Sequence, residues 1–375
     1  MSHRRRSFVD LPEDLQSNVF LRLPVKCLLI CKCVCKYFRT IIQNPDFTKA
    51  HLTCPRPITT ETSRSLILGL IDKSKIPHIQ CHDHLLSIDS AGEIFSSSPI
   101  SPPIPYVGVL FLVGSCSGLI CFDVRISLLT SESNFLLWNP VTRQTRYLPR
   151  LKNRSKCVCR ITEFGFVRET NEYMVVNVIR SNVSCNIEIE LYKMSTNSWT
   201  VYCNTTIGKL ITPVGPRFGL DQEASSLFSN GCFHWLTRYS VGAYIVSFNL
   251  KNEELGLIKA VHHGRESYFS HWKLAVIEEA LAMIYWKYND RCEIWVLTDY
   301  RVEGSWVLKF NSSYDFILHP VGYWKYDLMI ISMENEYCLL DLNAGDGERI
   351  PNMGSLVLRK FCSFEESFAP VRRLL

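Results

Sequence analysis

The chain has no apolar run of the roughly 18 to 20 residues that a membrane-crossing helix needs. Its longest apolar stretches are each interrupted by Lys, Arg or Asp. A membrane partner is therefore not expected. A secretory leader is not expected either, because Phe8-Val9 leads at once into Asp10, Pro12, Glu13 and Asp14. Without secretion, the glycosylation-type triplets at Asn153, Asn182, Asn204 and Asn311 carry no meaning. Charge of one sign is also missing: 41 basic residues stand against 36 acidic ones, a net of +5. So even a balance does not create the field of a nucleic-acid binder. The one basic tip, His3-Arg4-Arg5-Arg6, reads as a solvated tail.

Motifs for chemistry are equally scarce. G-x-S-x-G, a P-loop and G-x-G-x-x-G do not occur, and His262-His263 has no nucleophile pattern beside it. Cys81-His82-Asp83-His84 is a dense set of metal-type ligands, yet structural zinc needs a second pair at C-x-x-C or H-x-x-x-H distance, and none follows. Neither Cys31-x-Cys33-x-Cys35 nor Cys157-x-Cys159 has redox spacing. The expectation is a chain with no catalytic residues, metal or cofactor of its own.

Cysteine itself is plentiful, at 16 residues. Many lie inside apolar runs such as Cys27-Leu28-Leu29-Ile30-Cys31 and Cys116-Ser117-Gly118-Leu119-Ile120-Cys121, where they read as small buried hydrophobes. Reduced thiols fit a cytoplasmic or nuclear location. A hydrophobic share of 47% and an aromatic share of 12% supply material for a sizeable core.

Two periodicities divide the chain. Around residues 10 to 48 the pattern is helical. Leu11-Pro12 puts proline at a helix start, Glu13 and Asp14 set negative charge where the helix dipole favours it, and Leu15, Val19 and Leu23 recur every four residues. Pro24 ends that helix. From Val25 to Ile42 the apolar positions Leu28, Leu29, Cys31, Val34, Cys35, Phe38, Ile41 and Ile42 fit two short helices with a break near Cys31 to Val34, and Asn44-Pro45 closes the segment. About 40 residues is marginal for an independent core, so such a unit should bury apolar surface on something else. That something is either the rest of this chain or another protein.

Beyond about residue 80, short alternating runs bounded by Asn, Asp, Gly, Ser and Pro read as strands and hairpins, while 53–65 reads as a connector and Ser96 to Pro105 as a loop. Strand-turn-strand units centre on Ile88, Trp138, Tyr192, Phe248, Trp295 and Leu340, at intervals of 50, 54, 56, 47 and 45. Propeller blades repeat at about 40 to 50 residues. Further strands are expected at Gly118–Phe122, Tyr173–Val178 and Gly231–Trp235. The alternative, a sandwich of irregular hairpins, accounts less naturally for even spacing. The fold class expected is α+β multidomain: a small three-helix N-terminal unit followed by an all-β, propeller-like domain of about six hairpin repeats. The boundaries expected are a tail at 1–9, the helical unit at 10–50, a linker at 51–80 and the β domain at 81–375.

The string LPEDLQSNVFLRLPVKCLLICKCVCKYFRTIIQNPDF, Leu11 to Phe47, resembles the F-box of the large plant F-box families. GSCSGLICF, LLWNPVTRQTRYLP, FGF, NEYMVV, ELYKMSTNSW and NGCFHWL resemble, in order, the F-box-associated, kelch-like domain of the same families. The resemblance implies the substrate-recognition subunit of a Skp-cullin-F-box ubiquitin ligase. It also implies that Leu11, Pro12, Leu15, Val19, Leu23, Pro24, Val25, Leu28 and Val34 pack the motif and dock it on a Skp-type adaptor, which links to a cullin. The partner on the β domain would be a protein substrate. Receptors of the S-locus F-box type, which recognise stylar ribonucleases in self-incompatibility, share this layout, and a non-ligase propeller scaffold is the reading of another class. Cys27 and Cys35 depart from the commoner serine, Phe38 from tryptophan, and Ile30-Cys31 from an Arg-Phe pair.

Overall fold

A computed structural model describes residues 8–53, 64–72, 80–88, 94–104, 109–125, 134–150, 157–181, 187–204, 226–239, 242–261, 270–287, 291–300, 302–313, 319–324, 327–333, 336–344, 347–350 and 356–371. A 3-10 turn (Phe8–Asp10) opens the helical unit, followed by α1 (Glu13–Leu21), α2 (Val25–Val34), α3 (Lys36–Gln43) and α4 (Pro45–Thr53). Pro12 and Pro24 take the N-cap positions of α1 and α2 in extended geometry, φ −52° and −56°. The expected break falls at Cys35, whose extended backbone (φ −155°) caps α3 while its Sγ accepts the Phe38 N–H at 3.4 Å. A cysteine thus does the work usually given to a serine oxygen at this position of a helix. Proline at 45 does not close the unit as expected. It opens α4, since its missing N–H costs nothing in the first turn.

The rest of the described chain forms six four-stranded antiparallel sheets. Blade 1 contains β1 (Arg64–Asp72), β2 (Gln80–Ile88) and β3 (Ile94–Ile100), joined by the last strand of the chain, β24 (Leu356–Phe364). Blade 2 is β4 (Val109–Cys116), β5 (Leu119–Arg125), β6 (Asn134–Asn139) and β7 (Gln144–Tyr147). Blade 3 comprises β8 (Cys157–Val167), β9 (Glu172–Ser181), β10 (Ile187–Lys193) and β11 (Ser198–Asn204). Blade 4 runs through β12 (Ser226–Ser229), β13 (Cys232–Tyr239), β14 (Gly242–Asn249) and β15 (Glu254–Lys259). Blade 5 has β16 (Ser270–Ile277), β17 (Ala280–Lys287), β18 (Arg291–Leu297) and β19 (Trp306–Ser313). Blade 6 has β20 (His319–Trp324), β21 (Leu328–Met333), β22 (Glu336–Asp341) and β23 (Gly347–Arg349).

The six repeats found in the sequence are the hairpins between third and fourth strands of the blades, from β2–β3 around Ile88 to β22–β23 around Leu340. The expected strands at Gly118–Phe122, Tyr173–Val178 and Gly231–Trp235 are the second strands β5, β9 and β13. Two expectations change. The stretch 51–80, read as a linker, contains strand β1, and the proline-rich run read as a loop contributes Ser96–Ile100 to β3. β3 is the outer strand of its blade, where Pro99 can lie opposite His84 without breaking an interior ladder.

Neighbouring blades share apolar clusters, and the series closes. Ile67 of blade 1 packs with Ile120 and Phe122 of blade 2; Leu137 of blade 2 with Val175 of blade 3; Leu191 with Trp235 of blade 4. Ile245 packs with Met283 of blade 5, Ile284 with Met329 of blade 6, and Ile330 with Leu68 back in blade 1. This is a six-bladed propeller closed by its ends. β24 pairs with β1 in antiparallel register from Ser65↔Phe364 to Asp72↔Leu356. At Gly322 of β20 a side chain would collide with the Phe361 ring of β24, so glycine lets the sixth blade come up against the closing strand.

The helices do not stand apart from the propeller. Phe20, Val25, Leu28, Ile41, Ile42 and Phe47 form one cluster with Phe368, from the segment after β24, and with half-buried Val141 of blade 2. Leu52 packs into the cluster between blades 2 and 3. The helical unit therefore completes its core on its own chain.

Among buried polar groups, His234 of β13 is wholly buried, its ring 5.9 Å from that of Tyr300. Burial lowers its pKa to about 4 from an ordinary 6.5. The unfolded chain thus binds the extra proton between those two values, and stability falls as pH drops through that window. Chemical denaturation at pH 7 and pH 5 should show the wild type losing about 2 kcal/mol more than His234→Leu. Parallel losses in the two proteins would remove His234 as the cause.

Candidate adaptor-docking ridge and propeller bore

Among the described residues, the short helical unit carries six of the thirteen exposed large apolar side chains, including the most exposed, Ile30 and Val34. Leu11, Leu15 (51% exposed) and Val19 recur at intervals of four, a stripe along α1 and the residue leading into it. On α2, Ile30 and Val34 are 67% and 66% exposed, four residues apart, with exposed Cys27 and Cys33 beside them, and Tyr37 follows at the start of α3. Exposed apolar surface of this kind is characteristic of interaction sites in general. Gln16 is buried between the stripe residues and its Nε2 donates to the Leu11 carbonyl at 2.7 Å, which holds the first of them in place.

The nine residues assigned to adaptor docking by resemblance divide in two. Leu11, Pro12, Leu15, Val19, Pro24 and Val34 are exposed, and Leu23 is half-buried. Val25 and Leu28 are not on the surface: at 1% and 0% exposure they are core residues, turned toward Ile41, Ile42 and Phe368. Their part is packing. Ile30, the most exposed of these apolar side chains, was missed, because VKCLLICKCV is apolar on more than one side and its pattern alone does not say which side faces in. Phe38 sits in an aromatic trio with Phe8 and Phe20, ring centroids 5.1 to 5.5 Å apart and edge-on, so the smaller ring still joins the opening turn to α1 and α3.

In the propeller, the innermost strands β4, β8, β12, β16, β20 and β24 line an axial cavity of about 790 Å3. Phe164, Phe228, Val321 and Phe361 supply apolar wall, and Lys273, Lys360 and Glu163 supply charge. Glu163 of blade 3, 5% exposed, accepts from Lys360 of blade 1 at 2.6 Å and from Ser226 of blade 4 at 2.7 Å. One carboxylate thus ties three blades. Gly114 of the intervening blade 2 lines the same cavity. Glu278 and Asp327, which also line the cavity, both pair with Lys309 of β19, at 3.0 Å and 3.1 Å.

No constellation for chemistry emerges among the described residues. No group of three or more His, Cys, Asp or Glu side chains is placed to hold a metal ion. Cys81-His82-Asp83-His84 lies on β2, and those side chains are outside the described residues. The described cysteines are free thiols. Burial pushes Cys116 up to about 11 and Cys292 up to about 12, which keeps them protonated and inert. No described helix is long and apolar enough to cross a membrane.

Comparison with known proteins agrees with this layout. Residues 8–50 match the F-box domain, and residues 79–340 match the F-box associated beta propeller domain. Among curated proteins, the F-box/kelch-repeat protein At3g23880 of Arabidopsis thaliana is 25% identical over 90% of this chain and 89% of its own length. The F-box protein CPR1 of the same plant is 22% identical over 89% of this chain and 80% of its own. A solved TolB from Acinetobacter baumannii aligns over 88% of this chain and 72% of that one, at 11% identity and a TM-score of 0.47.

The bore pair makes a stability prediction. Lys360→Met removes the cation that faces the buried Glu163 carboxylate and should cost about 3 kcal/mol in denaturant unfolding, most of it recovered in the double variant Glu163→Met/Lys360→Met. A double variant as unstable as the single would show that the two charges do not act as a pair. With helices that leave an apolar ridge uncovered, a closed ring of six blades behind them and both domain matches in that order along the sequence, the chain belongs to the F-box proteins with an F-box associated β-propeller domain.

Proposed function

We propose that the chain is the substrate-recognition subunit of a Skp-cullin-F-box ubiquitin ligase. The observation that carries this reading is the uncovered stripe Leu11, Leu15 and Val19 with Ile30 and Val34, on a helical unit whose Phe20, Val25, Leu28, Ile41, Ile42 and Phe47 are already buried in a core shared with Phe368. A Skp-type adaptor would cover the ridge and bring a cullin with it, while the propeller holds a protein substrate. Ubiquitin transfer then takes place elsewhere in the complex. This chain contributes by keeping the substrate close to the transfer site, which removes the entropic cost of encounter. Such a subunit works in the cytoplasm or nucleus, where the free thiols stay reduced.

Removing the helices does not separate this reading from that of an intramolecular cap. Phe368 and Val141 would be uncovered in either case, and so would the apolar cluster between blades 2 and 3 on which Leu52 of α4 packs. Surface substitutions do separate them, because Leu15 and Val19 are exposed and stand outside the buried cluster that joins helices and propeller. Leu15→Asp/Val19→Asp should keep the thermal transition and weaken binding to a purified Skp-type adaptor by roughly 100-fold. Gln43→Asp, on exposed α3 surface, should bind as the wild type does. Undiminished binding by Leu15→Asp/Val19→Asp would sink the assignment.

A further inference from the structure

The LLWNPVT run, Leu136 to Thr142, ends in the turn between β6 and β7, and its Asn139 is wholly buried. The side-chain Oδ1 accepts the N–H groups of Val141 (2.9 Å) and Thr142 (3.1 Å), which shapes the turn. The same device recurs in other blades. Asn249 Oδ1 accepts from Lys251 and Asn252, and Asp341 Oδ1 accepts from Asn343 and Ala344. Asp341 shows that the turn needs only the acceptor oxygen. The amide NH2 of Asn139 has a different use: it donates to the carbonyls of Ser367 (3.1 Å) and Ala369 (2.9 Å), residues of the segment that follows β24.

That segment is anchored on both sides. Toward the propeller, Ser367 Oγ donates to the Ser117 carbonyl at 2.6 Å, and the Ala369 N–H donates to Ser367 Oγ at 3.1 Å. Gly118, at φ +81°, leaves the space that Ser367 fills, and a Cβ there would collide with it. Ala369 and Val371 are wholly buried between blades 2 and 3. Toward the helices, Phe368 inserts into the cluster of Val25, Leu28 and Ile42, its ring 5.7 Å from that of His51 and 5.6 Å from Lys32 Nζ. Glu366 meets Lys26 at 3.1 Å.

We propose that Asn139 and the segment Glu366–Val371 form a positioning clamp that fixes the direction in which the helical ridge faces relative to the propeller. Three consecutive residues alternate between the two bodies: Ser367 and Ala369 bind blade 2, and Phe368 between them binds the helices. The clamp begins two residues after the strand that closes the ring, so the direction of the ridge is referred to that closing strand. What this means for ubiquitin transfer rests on the function proposed above: an adaptor on the ridge and a protein on the propeller would face each other at a set angle. The clamp itself does not rest on it.

Asn139→Asp is the discriminating variant. It keeps the Oδ1 that the turn needs, as Asp341 does in blade 6, and replaces the two donated bonds with a carboxylate facing two carbonyls. Asn249→Asp makes the same change in a turn whose described bonds do not include the clamp. Dyes on clickable side chains replacing Gln43 and Lys251 report the distance between helices and propeller by single-molecule energy transfer. The wild type and Asn249→Asp should give one narrow distribution, and Asn139→Asp one of about twice the width, with the propeller's thermal transition retained. Phe368→Ala should broaden it likewise, from the opposite side of the clamp. Affinity for a Skp-type adaptor should stay within about threefold in Asn139→Asp and Asn249→Asp, because the ridge lies elsewhere. A distribution in Asn139→Asp and Phe368→Ala as narrow as the wild type would overturn the clamp. So would loss of the propeller's transition in Asn139→Asp, which would make the residue a support of the whole fold. Failure of the wild type to bind the adaptor would count against the proposed function and leave the distance result standing.

Discussion

Everything in this molecule is referred to the pairing of its last strand with its first. β24 completes blade 1 as the innermost strand, beside β1, and so converts a row of hairpins into a ring. A blade that lacked it would present an open edge at the centre of the molecule, the kind of unpaired strand that proteins avoid. Closure also brings Lys360 of β24 to Glu163 and sets Phe361 against Gly322, so the bore and the contact between the first and last blades depend on the same strand. The chain then leaves the ring directly into the segment that holds the helices.

The helical unit shows why such a hold is needed. Its own core consists of a few side chains, and units this small bury too little surface to be stable alone. Phe368 and Val141 add to that core from outside, while Leu11, Leu15, Val19, Ile30 and Val34 stay in water. The unit has spent its internal apolar contacts on the propeller and left a separate face uncovered. One face answers to the chain's own stability and the other is the face proposed for the adaptor, and the two sets of residues do not overlap.

Much of this was legible in the sequence where the signal was local. The six hairpins announced themselves through alternation and turn residues, and the stripe on α1 through its spacing of four. What could not be read was non-local or ambiguous. Strand β1 lies in a stretch bounded by connector-like composition, and its partner β24 stands almost 300 residues away, with no local mark of the pairing. Pro99 made an outer strand look like a loop. On α2, Val25, Leu28 and Ile30 are all apolar in sequence, yet two are core and one is ridge, a division set by packing against Ile41, Ile42 and the distant Phe368. Asn139 stood in a recognised motif, but its grip on Ser367 and Ala369 joins residues more than 220 positions apart.

If closure and clamp together make one structure of helices and propeller, native-state hydrogen exchange of the full chain measures it most directly. The slowest amides of α2 and α3 should exchange with the same free energy and the same denaturant dependence as those of β24 and β1, as parts of one cooperative unfolding. Exchange of the helical amides through a separate opening of much lower energy, with the β24–β1 amides still protected, would contradict it.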